Sequence, residues 1–154
     1  MSGGAAGLVA DLCEGAGLRV PKPGGALASA LRSLMPAYAA TGNPFDCTTA
    51  AIGDPALLAG VVTLVAESGE YDLVLVQLTT NTDPAAADIA ASLVRLAEAA
   101  PVPILVGRLG APSLAPRAVD VYRSRGVPVC ASPARLVRLG NVLVRYGELL
   151  GAAV

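Results

Sequence analysis

Residues 73–84 of the 154-residue chain have the sequence LVLVQLTTNTDP, which combines an apolar run, a polar loop and a helix start signal. The run at 73–78 is apolar at almost every position, a pattern typical of a central parallel strand that is buried on both faces. Asp83 followed by Pro84 matches a helix N-cap with proline at the first helical position. This stretch therefore predicts a strand, a loop and a helix in succession.

The same start signal occurs on either side of this stretch. Asp54 and Ser132 each precede a proline, and apolar residues follow each of them at helical spacing. Apolar runs at 104–106 and 127–130 have the length of strands. The alternation of strands and helices predicts right-handed crossovers and a parallel sheet covered on both faces. We therefore expect an α/β fold with three αβα layers and at least four strands, the strand at 73–78 lying at or near the centre.

Further elements are predicted outside these: helices at 5–14, 26–35 and 117–124, and a short strand at 18–20. In a parallel α/β domain a strand normally precedes the first helix, but here helix-like sequence follows Met1 almost at once. Either the chain is a piece of a longer polypeptide or the sheet lacks its first strand.

A missing central strand would leave unpaired backbone groups inside a buried sheet, at roughly 1 to 3 kcal/mol for each group. A stable gap is therefore not expected. Three alternatives remain open: the segment at 18–20 is displaced, a second copy of the chain fills the slot by exchange, or a preceding segment supplies the strand.

The composition excludes several classes of protein. Apolar residues make up 54% of the chain and charged residues 15%, a composition that argues against disorder. The length of 154 residues predicts one domain over residues 1–154. The formal charge is −1 and the basic residues are scattered, so no nucleic-acid partner is expected. No apolar run is long enough to cross a bilayer and the amino end lacks a signal-peptide pattern, so we expect no membrane association and a cytoplasmic protein.

The sequence contains no His. This excludes a His base, a Ser or Cys nucleophile with a His partner, and a phosphohistidine carried by this chain. We assign no catalytic residue and no metal ligand. Cys13, Cys47 and Cys130 are widely spaced and form no CxxC pair, so they are predicted to be small buried side chains. A flavin site is disfavoured by the absence of Trp and the scarcity of other aromatic residues.

Ligands of open parallel sheets bind outside the carboxyl ends of the strands. Thr79, Thr80, Asn81 and Thr82 follow the predicted central strand and exceed what helix capping needs. They predict an oxyanion or phosphate site, with simple capping as the alternative. Asp83 argues against the site, because a carboxylate at the N-cap would already occupy the positive end of the helix dipole.

Two other loops contribute candidate residues, namely Ser2, Gly3 and Gly4 before the first helix, and Gly42, Asn43, Pro44 and Asp46 farther along. Glycines before a helix expose backbone N–H groups to an anion, although a plain turn is the default interpretation of each loop. We expect residues 2–4 to converge with residues 79–83 at one end of the sheet. Arg108 follows the next strand, and we expect it to be a surface charge.

The order of several motifs resembles that of a known family. The motifs are SGGAAGL at 2–8, AGL at 16–18, GNPFD at 42–46, DLVLV at 72–76, TDP at 82–84, GVP at 126–128 and SPAR at 132–135. Together they resemble the C-terminal flavodoxin-like (CoA-ligase) domain of NDP-forming acyl-CoA synthetases, in the succinyl-CoA synthetase-like superfamily. The resemblance covers nearly the whole chain.

The resemblance implies a role within a larger enzyme that makes acyl-CoA from an acid, CoA and ATP through a phosphohistidine. The His would lie on another flavodoxin-like domain, CoA would bind a Rossmann-like domain, and ATP or ADP with Mg²⁺ would bind an ATP-grasp domain. This domain would bind no cofactor tightly and would be inactive alone. It would dock against the phosphohistidine domain and offer the helix that begins at Pro84.

One departure from the family bears on that role. Related enzymes have glycines where this chain has Thr79 and Thr80, so phosphate binding here would be altered or lost. The alternative function is a non-catalytic interaction or regulatory module derived from the same domain. A homodimer is a further alternative that the sequence leaves open.

Overall fold

The computed structural model describes residues 2–151. Their helices are α1 (Gly3–Gly15), α2 (Gly25–Leu34), α3 (Ala50–Gly53), α4 (Pro55–Glu67), α5 (Ala85–Ala99), α6 (Pro116–Ser124) and α7 (Pro133–Gly151), with a 3₁₀ turn at Pro112–Leu114. Their strands are β1 (Val74–Leu78), β2 (Ile104–Arg108) and β3 (Val129–Cys130). The predicted order of strands and helices from residue 54 onward is confirmed.

The strands form one parallel sheet in the order β1-β2-β3. Helices α1 and α7 contact one face of it, and α4 and α5 contact the other. Helix α6 packs against α5 and shares its hydrophobic cluster. The α/β class and the three-layer αβα arrangement are therefore confirmed.

Local signals explain where the outer helices begin. Oδ1 of Asp54 accepts hydrogen bonds from the N–H groups of Ala56, at 3.0 Å, and Leu57, at 3.3 Å, and so caps α4. Oγ of Ser132 accepts a hydrogen bond from the N–H of Arg135 at 3.3 Å and caps α7. Both N-caps agree with the sequence, because a side-chain oxygen at this position satisfies backbone donors that the helix leaves free.

Three expectations about the sheet are wrong for the described residues. The sheet has three strands rather than four or more, and β1 lies at its edge rather than its centre. Residues 18–20 form no strand, although Leu18 and Val20 pack against the buried Val9 and Val137. A strand needs a neighbour with which to exchange backbone hydrogen bonds, and residues 2–151 place none beside this segment.

The outer edge of β1 borders a groove of about 1020 Å³. We call it the edge groove; Val9 and Cys13 of α1 lie on one side, and Val61 and Val65 of α4 on the other. The N–H of Val74 bonds to Pro103 and the carbonyl of Leu78 bonds to Leu109, so even-numbered residues of β1 face β2. The backbone groups of Leu75 and Gln77 therefore point to the groove. The edge groove thus lies where a further strand would pair with β1.

No helix among residues 2–151 has the length and apolar character needed to span a membrane.

Candidate functional site

The loop at residues 79–83 lies where β1 ends, beside the loop that follows β2. The carbonyl of Leu78 accepts a hydrogen bond from the N–H of Leu109 at 3.1 Å, which continues the pairing of the two strands into the loops. Thr80 approaches Gly110 so closely that a Cβ on Gly110 would lie 3.0 Å from Cγ2 of Thr80. Gly110 also has a φ of +98°, so glycine is what allows the two loops to touch.

Asp83 does not cap the helix that follows it, contrary to the prediction. Helix α5 begins at Ala85, and Pro84 occupies the N-cap position without a side-chain hydrogen bond. Oδ2 of Asp83 instead accepts a hydrogen bond from the N–H of Arg117, at 2.8 Å, in the first turn of α6. The carboxylate is therefore directed to a different helix, and the argument from Asp83 against an anion at α5 no longer holds. The acid in the first turn of α5, Asp88, is exposed.

Arg108 is buried, with 5% of its surface exposed, so the expectation that it is a surface charge is wrong. Its Nη2 donates a hydrogen bond to the carbonyl of Asn81 at 2.7 Å. Its Nη1 donates to the carbonyls of Gly110, at 3.5 Å, and Ala111, at 3.4 Å. No carboxylate of residues 2–151 forms an ion pair with it. One guanidinium thus joins the two loops through neutral acceptors.

A signal for this burial is present in the sequence. Arg108 ends a strand whose five residues are all buried, and the alternation expected of a half-exposed strand is absent from it. A charged side chain at the carboxyl end of a strand that is buried on both faces lies at the edge where ligands bind in this class of fold. The position, rather than the residue type, identifies it as a functional candidate.

Several buried polar atoms around the loop have no hydrogen-bond partner among residues 2–151: both amide atoms of Asn81, Oδ1 of Asp83, Nε of Arg108, Oε1 of Gln77 and Oη of Tyr122. Asn81 itself is only 7% exposed. Each unpaired buried group costs about 1–3 kcal/mol, and native proteins hold few of them. Their concentration at one end of the sheet favours a site that an external polar group or ordered water completes.

Tyr122 of α6 lies close enough to Arg108 to sense its charge. Burial raises the pKa of the Tyr122 phenol far above its usual range, and the positive charge of Arg108 lowers it in part. The phenol therefore stays protonated at physiological pH. It is a potential donor behind the loop and not a base.

The candidate residues at the amino end form a second cluster. Ser2 is the N-cap residue of α1, without a side-chain hydrogen bond, and Gly4 follows in the first turn. A Cβ on Gly3 would lie 3.3 Å from Oδ2 of Asp46, so this helix start faces the Asp46 carboxylate. Oδ1 of Asp46 accepts a hydrogen bond from the N–H of Thr48 at 2.9 Å. A carboxylate in this place competes with an external anion for the positive end of α1.

The other residues of the loop at 42–46 have structural contacts. The side-chain amide of Asn43 donates to the carbonyl of Pro21 at 3.1 Å, and Pro44 lies along the edge groove. Gly42 is exposed. The structure thus brings the loop at 42–46 beside residues 2–4. The convergence of these two segments with residues 79–83 stays a prediction.

Within residues 2–151, no group of three or more Cys, Asp or Glu side chains is placed to hold a metal ion. Cys13 and Cys47 are buried and Cys130 is half-buried. Burial raises the pKa of all three thiols, which disfavours the reactive thiolate form.

Solved structures share this fold. PH0766 from Pyrococcus horikoshii OT3 matches 96% of this chain with 34% of its own, at a TM-score of 0.82 and 21% identity. The dinucleotide-forming acetyl-coenzyme A synthetase 1 of Ca. Korarchaeum cryptofilum, in its apo form, matches 96% of this chain with 32% of its own, at a TM-score of 0.78 and 20% identity. The same enzyme in complex with phosphate and ADP gives the same values.

This chain therefore spans about a third of the length of the proteins that it resembles. At 20% to 21% identity the similarity shows a common fold, the α/β fold of the flavodoxin-like domain in those structures. No protein-family model matches the sequence, and no curated protein matches it.

Proposed function

We propose that residues 1–154 form the flavodoxin-like domain of an ADP(NDP)-forming acyl-CoA synthetase and act in the cytoplasm as part of that larger enzyme. The similarity of fold over 96% of the chain to part of an acetyl-coenzyme A synthetase carries the proposal. The absence of His supports it, because such a domain receives a phosphohistidine from a partner domain and does not carry one. The domain alone is inactive.

In this proposal the loop at 79–83 and the start of α5 bind the phosphoryl group of the docked phosphohistidine. Thr80 and Thr82 are exposed and offer hydroxyl donors, and Thr79 is half-buried beside them. The positive end of α5 favours negative charge, and Asp83 does not occupy it. The domain forms and breaks no covalent bond; it stabilises charge on the phosphoryl oxygens while the partner His carries them.

The other partners follow from the same proposal. The CoA-binding domain holds CoA, the ATP-grasp domain holds ATP or ADP with Mg²⁺, and this domain contacts the phosphohistidine domain between them. One of the similar structures is a complex with phosphate and ADP. The whole enzyme is therefore the unit in which we place nucleotide, CoA and phosphate, and this domain contributes only the docking surface and the phosphate contacts.

Reconstitution tests the proposal. The purified chain is mixed with separately produced CoA-binding, phosphohistidine and ATP-grasp domains, and acyl-CoA formation from ATP, CoA and a panel of short and aromatic acids is measured. We expect product only when this chain is present. Absence of product with every acid would contradict the proposal.

A pair of variants assigns the effect to the loop. Replacing Thr80 and Thr82 by Val removes two hydroxyl donors without changing side-chain size, and we expect acyl-CoA formation to fall by about tenfold or more. Thr49→Val, at another exposed threonine, should leave the rate unchanged. Equal rates for both variants would remove the loop from the mechanism.

The second candidate function is a non-catalytic interaction or regulatory module. Thr79 and Thr80, where related enzymes have glycines, favour it, because phosphate binding would be altered or lost without those glycines. The coding sequence next to this chain discriminates between the two candidates. Adjacent ATP-grasp and CoA-binding segments support the enzyme, whereas an unrelated neighbour supports the module.

We also propose that the isolated chain forms a homodimer in which a second copy covers the edge groove. The unpaired backbone groups of Leu75 and Gln77 are the observation behind this proposal. Light scattering of the purified chain at several concentrations measures the mass. A monomer at all concentrations would contradict the homodimer.

A further inference from the structure

We infer that Arg108 is the positioning residue of a tetrahedral oxyanion site at the carboxyl ends of β1 and β2, where it holds Asn81 in place and supplies a buried positive charge. The ligand class is a phosphate or phosphoryl group. This inference rests on the proposed function, because it concerns the same loop, and it adds the residue on which the charge preference of that loop depends.

The first step is the missing counter-charge of Arg108. Burying a charged side chain is costly unless an opposite charge or a full set of hydrogen bonds compensates for it. Arg108 is 5% exposed, its Nε has no partner, and its other nitrogens donate only to the carbonyls of Asn81, Gly110 and Ala111. No acid of residues 2–151 forms an ion pair with its guanidinium.

The second step is the state of Asn81. Its carbonyl accepts the 2.7 Å hydrogen bond from Nη2 of Arg108, so the guanidinium sets the position of the loop. Asn81 is more than nine-tenths buried, and neither atom of its side-chain amide has a partner among residues 2–151. An unpaired buried amide donor beside a buried cation suits an anionic ligand, because an ionised partner strengthens a hydrogen bond. Protein groups alone do not complete this arrangement.

The third step is the route by which the charge acts. The guanidinium lies beneath the loop, while Thr80 and Thr82 are exposed on it. An oxyanion that contacts the exposed hydroxyls feels the positive charge of Arg108 through the protein interior, where screening is weaker than in water. Asp83 opposes the anion less than its charge suggests, because its Oδ2 is bound at the positive end of α6. Arg108 thus acts on the ligand through the loop and without touching it.

Phosphate binding by the whole chain tests this inference, with inorganic phosphate as the probe and equilibrium dialysis as the measurement. Arg108→Met removes the charge, and we expect the affinity for phosphate to fall about tenfold. Arg108→Lys keeps the charge and should recover most of the affinity. Arg125→Met is the matched control, because Arg125 pairs with Glu98 on the surface and its side chain is 56% exposed. The affinity of this variant for phosphate should stay within about twofold of that of the parent chain.

Salt dependence separates a charge effect from a merely structural one. Because the phosphate itself lies at the protein surface, ions partly screen its attraction to Arg108, so the parent chain should lose some phosphate affinity as salt rises and Arg108→Met should lose less. Circular dichroism checks that the variant folds. If it does not fold, Asn81→Asp, which replaces the amide donor by a negative charge, should abolish phosphate binding while the fold persists. An affinity for phosphate that is the same in the parent chain and Arg108→Met, or no phosphate binding by the folded parent chain, overturns the inference.

The outcome is distinguishable from failure of the proposed function. If reconstituted acyl-CoA formation is unchanged by Arg108→Met, the role of Arg108 is wrong and the proposed function stands. If phosphate binding depends on Arg108 but no acyl-CoA forms with any acid, the oxyanion site stands and the proposed enzyme is wrong.

Discussion

The sheet face under α4, α5 and α6 buries a continuous hydrophobic cluster that includes Leu93 and Val106, whereas the cluster under α1 and α7 consists of the buried residues Val9, Cys13 and Val137. Both faces belong to the same strands, so the difference comes from the helices. On the second face α7 approaches the sheet at a glycine, and beyond β1 the edge groove stays open. The comparison indicates that the first face supplies most of the stability, while the second can adapt to a partner.

Truncation of one core residue on each face should give the largest effect. Leu93 is fully buried, and Leu93→Ala should lower the free energy of unfolding by about 2–5 kcal/mol. Val137→Ala, at a position 3% exposed on the other face, should cost about 1–2 kcal/mol. Urea unfolding of both variants measures the difference. Equal costs would show that the two faces contribute alike.

Two glycines on the second face should differ in their tolerance of a side chain. A Cβ on Gly107 would lie 2.6 Å from Oε1 of Gln77 and 2.8 Å from Cδ2 of the fully buried Leu136, so Gly107→Ala should cost about 1–3 kcal/mol. A Cβ on Gly140 would lie 2.9 Å from Cδ2 of Leu73, a side chain that borders the edge groove and can move. Alanine also favours a helix by about 1 kcal/mol over glycine.

Gly140→Ala should therefore change the free energy of unfolding by less than about 1 kcal/mol. Thermal melting of both glycine variants is the measurement. A loss at Gly140 as large as that at Gly107 would show that the groove side is as rigid as the interior.

The N-caps of α4 and α7 belong to helices on opposite faces of the sheet, so removing each cap compares the two faces. Asp54→Ala removes an acceptor of two backbone N–H groups at the start of α4, and we expect a loss of about 1 kcal/mol. Ser132→Ala removes one weaker bond of 3.3 Å at the start of α7, and about 0.5 kcal/mol is expected. Denaturant midpoints of the two variants test the predicted ranking of these losses. A larger loss of stability for Ser132→Ala than for Asp54→Ala would contradict it.

The smallest effect is expected at the surface of the first face. Glu98 and Arg125 form an ion pair of 2.7 Å between α5 and the end of α6, but 43% and 56% of their side chains are exposed. Glu98→Gln should lower the free energy of unfolding by less than about 1 kcal/mol, since water and salt screen such pairs. The difference should vanish in concentrated salt. A salt-independent loss would mean that the contact acts through packing.

The sequence by itself determines the order of the elements and where several of them begin. The caps at Asp54 and Ser132 and the apolar strands depend on residues within a few positions of one another, so their patterns are visible in the chain. The αβα layering follows from the same order. The candidate loop at residues 79–83 was also predictable, because it follows a strand at its carboxyl end.

Only the tertiary structure decided how that loop is held and where β1 lies in the sheet. Asp83 caps a helix start 34 residues away, and Arg108 bonds to Asn81 across 27 residues. The position of β1 at the edge likewise depends on which strand lies beside it and not on its own apolar pattern. The residues next to Asp83 in the sequence do not determine whether its side chain caps α5 or α6. The residues next to Arg108 likewise do not determine whether its side chain is buried or exposed. The choice rests on contacts between residues distant in the chain, which exist only once the strands have paired and the helices have packed.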